Sequence, residues 1–130
     1  MAFVREDVPE EYMKEHDIEQ GNGWHIDRER DAIFYWTTGG NPRGCETAFL
    51  LVWKGEKIKV GSRWYENGIG KDKIIEWRDT YVAIPEHLES QRQEILTALV
   101  EAFACYGLFG SGKYRTKVVF DPKMQFRERV

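Results

Sequence analysis

IIEWRDTYVAIPEHLESQRQEILTALVEAFACYG, residues 74–107, decides the fold of this chain. Lys73 through Ile84 is rich in β-branched and aromatic residues and reads as a strand. Trp77-Arg78-Asp79 interrupts its apolar pattern, which predicts a bulge or bend at that point. Pro85 ends the strand, and Glu86–Glu89 reads as a turn. Ser90-Gln91-Arg92-Gln93 has the spacing of a capping box, so the main helix is predicted over residues 90–106. Wound at helical pitch, Leu88, Ile95, Leu99, Ala102, Phe103 and Tyr106 fall on one stripe. Leu96 and Val100 widen it, and Glu94, Thr97 and Glu101 lie opposite. A stripe this broad suits packing across a sheet better than a two-stranded coiled coil. Gly107 stands where a glycine stops a helix.

Upstream of this block the period is two. Trp24-His25-Ile26 and Ala32 through Trp36 flank the charged run Asp27–Asp31 and predict a hairpin. Ile33, Tyr35 and Thr37 share one face of the second arm, Phe34 and Trp36 the other, so both faces carry aromatic surface. Thr47 through Trp53 is nearly all apolar, as befits a central strand covered on both sides. Lys54-Gly55 turns the chain into Glu56 through Trp64, where Ile58, Val60 and Trp64 alternate with Lys57, Lys59 and Arg63. Tyr114 through Phe120 reads as a final strand ended by Asp121-Pro122. Near the start, Asp7-Val8-Pro9-Glu10 has the form of a helix N-terminus with Asp7 as cap.

These segments predict an α+β fold: a bent antiparallel sheet of about five or six strands with one long helix across one face and a short N-terminal helix. The 130 residues are read as one domain. Within it, 1–20 is an acidic arm or short helix, 24–84 antiparallel strands, 90–106 the main helix and 114–121 the final strand. Charge is mixed, with a net of −3, but unevenly placed. Glu6, Asp7, Glu10, Glu11, Glu15, Asp17 and Glu19 crowd the head, while Lys113, Arg115, Lys117, Lys123, Arg127 and Arg129 crowd the tail. Head and tail could pair within one chain or between two, which makes a homo-oligomer an expectation to test. No signal-peptide pattern opens the sequence, no stretch approaches the ~20 apolar residues of a membrane span, and Cys45 and Cys105 match no metal or redox spacing. Cytoplasmic location with free thiols and no membrane contact is the resulting expectation.

Gly107-Leu108-Phe109-Gly110-Ser111-Gly112-Lys113 matches a phosphate-binding loop, yet Tyr114 replaces the magnesium-binding hydroxyl. The context is also reversed, because such a loop must follow a strand and open a helix. Cys45 with His25 as base lacks anything that joins the two, and Cys105 belongs to the helix. His25-Ile26-Asp27 puts two ligands on one face, too few for a metal site; His16, His25 and His87 read as solvent-facing. No catalytic residue, metal or cofactor is therefore assigned, and the chain reads as a non-enzymatic binding module.

The best small-ligand candidate is the loop Thr37–Gly44, where glycines bare backbone N–H groups and Arg43 adds a bidentate anion donor. The five tryptophans, Trp24, Trp36, Trp53, Trp64 and Trp77, all lie in the sheet region near Lys57, Lys59, Arg63 and Arg78. Aromatic and basic side chains on a sheet can stack single-stranded nucleic acid. Net acidity and the absence of an RNA-recognition motif argue against that use. Tryptophan and arginine are also common anchors of protein interfaces. The binding residues inferred are Trp36, Arg43, Arg63, Trp64 and Trp77, with another protein as partner. The alternative is a small-ligand carrier or sensor whose aromatic pocket lies between sheet and helix.

Trp77, Pro85, the Arg92-x-x-Ile95 helix with Ala102-Phe103, and Gly107 resemble the C-terminal halves of small bacterial toxin-immunity proteins. The likeness covers residues 74–107 and implies neutralisation of a toxin by direct binding.

Overall fold

A computed structural model describes residues 3–5, 10–15, 24–36, 46–68, 73–106 and 115–122. Its strands are β1 (Val4–Arg5), β2 (His25–Asp27), β3 (Ala32–Trp36), β4 (Glu46–Trp53), β5 (Glu56–Asn67), β6 (Ile74–Val82) and β7 (Arg115–Phe120). All seven join one sheet in chain order, and the fold is α+β. Glu10–Glu15 forms a six-residue helix, α1, and Arg92–Tyr106 the long helix, α2. No helix among the described residues is long and apolar enough to cross a membrane.

Local chemistry sets the hairpins. Asp27 Oδ1 accepts the backbone N–H groups of Glu29 (3.1 Å) and Arg30 (3.3 Å), which closes the β2–β3 turn. Lys54 and Gly55 both take positive φ, 51° and 85°. This two-residue loop matches the strand twist and sets Trp53 opposite Glu56. The adjoining β4 is covered on both sides, with Leu51 and Val52 both fully buried.

Two corrections follow from the last third of the chain. The sheet is mixed, not all antiparallel: β6 and β7 run parallel, in register Ile74↔Arg115 through Trp77↔Val118. The helix after β6 carries the chain back along the sheet, so a neighbouring strand that follows it must run the same way as β6. The helix entry also differs from the predicted capping box. A 3₁₀ helix over Glu86–Gln91 leads straight into α2, and its cap residue Pro85 makes no side-chain capping bond.

The bulge foreseen at Trp77–Asp79 is present. β6 carries an extra residue relative to both neighbours, shown by the shifts between Gly61 and Arg63 and between Trp77 and Thr80. Asp79 takes φ 51° there. The extra residue reverses the alternation, so Ile75 and Trp77 before it and Val82 after it join one core under α2. Buried Ser62 and Thr80 beside the bulge satisfy each other, hydroxyl to hydroxyl at 2.7 Å.

Under α2 lie Phe34, Phe49, Leu51, Trp53, Ile58, Val60 and Trp77, packed against Ile95, Ala98, Leu99, Ala102 and Phe103. Val100, predicted to widen the stripe, is instead 43% exposed, and Leu96 is half-buried. A smaller buried cluster, Trp24, Ile26, Ile33, Tyr35 and Val52, lies on the opposite face of β2–β4. Side-chain bonds tie the helical segment to the sheet and its turns. Trp53 Nε1 donates to Gln91 Oε1 at 2.9 Å, Cys105 Sγ donates to the Phe3 carbonyl at 3.0 Å, and Arg30 bridges Asp27 and Glu101.

On that opposite face the Tyr81 ring lies against Gly61, so a Cβ there would meet ring atoms at 2.4–2.7 Å. Gly61→Ala should therefore cost about 1–3 kcal/mol by overpacking, read from urea denaturation. The same change made in a Tyr81→Ala background should cost less. An equal penalty in both backgrounds would place the strain elsewhere.

Candidate functional site

Register assigns each side chain of β5–β7 to a face. Ile58, Val60, Ser62 and Trp64 of β5 turn toward α2, which leaves Lys57, Lys59, Gly61, Arg63, Tyr65 and Asn67 on the helix-free side. Their partners on that side are Ile74, Glu76 and Arg78 of β6, before the bulge, and Tyr81 after it. Arg115, Lys117 and Val119 continue the surface on β7, where every second residue is exposed.

The face is basic. Lys57, Lys59, Arg63, Arg78, Arg115 and Lys117 stand against Glu76, with Asp79 at the bulge, in a chain whose net charge is −3. Arg63 has Arg78 as its direct cross-strand partner on β6 and Glu46 on β4. Like charges directly opposite destabilise a sheet, so the Arg63–Arg78 pair has no structural gain of its own.

An ordered chain of side chains runs through the middle. Asn67 Nδ2 donates to Glu76 Oε2 at 3.1 Å, and Arg78 Nε donates to Glu76 Oε1 at 2.5 Å. The Arg78 guanidinium lies over the Tyr65 ring, 4.3 Å from its centroid. The hydrogen bond from Arg78 holds the Glu76 carboxyl below the usual carboxylate range. The charges of Arg78 and Lys117 and the bond from Asn67 act in the same direction, against partial burial.

The sequence-derived site residues are dispersed. Trp77 is fully buried beneath α2, in contact with Phe49 and Phe103. Trp36 and Trp64 are half-buried and pack against that same core. Arg63 alone lies on the helix-free face, and Arg43 lies outside the described residues. So do Cys45, His16 and the glycine-rich segment 107–114. Four of the five tryptophans face the helix, and Trp24 stacks on Tyr35 at 4.1 Å in the second cluster. On β5 and β6 the aromatic rings of the helix-free face are tyrosines, half-buried Tyr65 and buried Tyr81. Cross-strand register was the missing signal, because Lys57, Lys59, Arg63 and Tyr65 already alternate in the sequence of β5.

Other candidate chemistry finds structural roles. His25 is buried in the β2 strand, against the prediction, and Asp27 beside it caps a turn. His87 is exposed and bonds to Glu56 at 2.7 Å. Burial pushes the Cys105 thiol up, away from the thiolate form. No cluster of three metal-ligating side chains occurs among the described residues. A cleft of about 340 Å³ lies between the β2–β3 turn, Lys54 and the first turns of α2. Glu29 and Glu94 oppose Arg30 and Lys54 around it, and its indole floor, Trp53, is 2% exposed. Between sheet and helix, where an aromatic pocket was the alternative, Phe49, Trp77 and Phe103 fill the space with centroids 4.8–5.4 Å apart. No protein-family model, curated protein or solved structure matches this chain.

The Glu76 pairing has a defined pH sign. Its folded-state pKa is depressed, so its contribution is fully present above the ordinary carboxylate range and is lost as pH falls through the lower folded value. Urea midpoints of wild type and Glu76→Gln should differ by a constant amount near neutral pH, and the gap should close on acidification. A gap that persists unchanged into strong acid would count against the pairing.

Proposed function

We propose that this chain is a non-catalytic module that holds a protein partner against the helix-free face of β5–β7. The observation that carries the reading is Arg63 directly opposite Arg78 on a surface that holds Glu76, Asp79 and four further basic strand residues. Arg63 beside Arg78 sets two like charges against each other, whereas an acidic partner surface gains both attraction and orientation from them. Strand-borne side chains on a sheet anchored to a packed helix are also pre-positioned, which lowers the entropy cost of binding. The inhibitory form of the reading, with a toxin as the held protein, is supported by the likeness of residues 74–107 alone.

Extract of the source cells passed over the immobilised protein provides the test. Lys59→Glu/Arg63→Glu/Lys117→Glu should lose proteins that wild type and the helix-side control Glu94→Lys both retain. Circular dichroism should show all three folded. Identical retention by the charge-reversed face and wild type would overturn the proposal, as would loss in the Glu94→Lys control alone.

A further inference from the structure

We propose that Arg78 is the anchor of this face and takes a side-chain carboxylate of an acidic partner segment through its two Nη groups. The inference deepens the protein-binding reading and rests on it.

Arginine has one donor on Nε and four on its Nη atoms. Arg78 uses Nε on Glu76, and among the described residues its side chain bonds to Glu76 alone. The outer edge, with its two parallel donors, is the edge that matches a carboxylate. Three features fix its direction. The Arg78 guanidinium carbon lies over the Tyr65 ring, 4.3 Å from its centroid. Glu76 holds Nε, and Asn67 holds Glu76 in turn. The result is a long, rotamer-rich side chain whose ordering cost is met before a partner arrives.

Exposure and charge agree with this role. The Arg78 side chain is 43% exposed while the Glu76 side chain is 17% exposed. The acid is thus the inner, orienting member of the pair and the arginine the outer one. Across the strand, Arg63 adds a second guanidinium, and Lys117 lies opposite Glu76 on β7. Glu76, Asp79 and Glu46 of β4 stand against Arg63, Arg78, Arg115 and Lys117, so the surface around Arg78 keeps a small positive surplus. Glu76 and Asp79 also stand within the surface, where they would repel the continuous charge of a nucleic-acid backbone. A carboxylate on a peptide, flanked by residues that can avoid those two acids, meets no such line of repulsion.

Calorimetric titration with hexaglutamate, hexaglutamine and inorganic phosphate separates the possibilities. Wild type should bind hexaglutamate and ignore hexaglutamine. Arg78→Lys keeps the charge but loses the fork and the guanidinium contact with Tyr65. It should weaken hexaglutamate binding about tenfold, the effect of one charge-assisted hydrogen bond. Tyr65→Phe should bind as wild type does, and Tyr65→Ala should bind several-fold more weakly. Unchanged affinity in Arg78→Lys would overturn the anchor. If the Lys59→Glu/Arg63→Glu/Lys117→Glu variant meanwhile lost binding, the face itself would stand. A wild type that binds phosphate as tightly as hexaglutamate would overturn the carboxylate assignment, and one that ignores hexaglutamate would overturn the anchor outright.

Discussion

Phe103 sits where α2 crosses the sheet, and its ring meets Phe34, Phe49 and Trp77 at centroid distances of 4.8–5.2 Å. Those three rings come from three different strands, β3, β4 and β6. One helical side chain thus couples the middle of the sheet to the crossover that closes it. Removal of a buried ring of this kind costs about 3–5 kcal/mol, a large share of the stability of a small domain. The geometry also commits the aromatic content. Once Trp36, Trp53, Trp64 and Trp77 face the helix, the other side of β5–β7 is left to lysine, arginine and tyrosine.

Much of the fold was legible because period and punctuation agree. Asp27 at a turn, Lys54-Gly55 between two strands and the stripe through Ile95, Leu99 and Phe103 each state a local geometry that the rest of the molecule accepts. The mixed sheet was not legible. Nothing in Arg115–Phe120 records which neighbour it joins, because strand direction is set by where the helix delivers the chain. A strand, a helix and a strand in succession do suggest a crossover, and that pattern was available. The 3₁₀ entry to α2 was hidden for a different reason. Ser90 and Gln93 have capping-box spacing, but the turn from Pro85 had already committed the backbone to a helical path.

The face was legible only in part. Arg63 could be singled out, and its alternation with Ile58, Val60 and Trp64 gives its side. Arg78 could not be given a role, because its orientation depends on Glu76, Asn67 and Tyr65 across a register that sequence does not display. The extra residue at Asp79 makes the point sharply. It reverses the alternation within β6, so that Arg78 and Tyr81 share one face although their spacing by three would separate them in a regular strand. Tryptophans attracted notice by their number, yet their bulk is what drove them into the core.

The parallel pairing of β6 with β7 has a consequence for the order of assembly. Hairpins β2–β3 and β4–β5 close through turns of a few residues and can form early. β7 is different, since it reaches β6 only after α2 has traversed the sheet. Arg115 and Lys117 therefore join Lys57, Lys59, Arg63 and Arg78 only where that parallel pairing has formed. Without it the positive surface is incomplete, and a chain with an undocked helix presents only part of the charge pattern. The basic face is in this sense a signature of the complete sheet, β7 included.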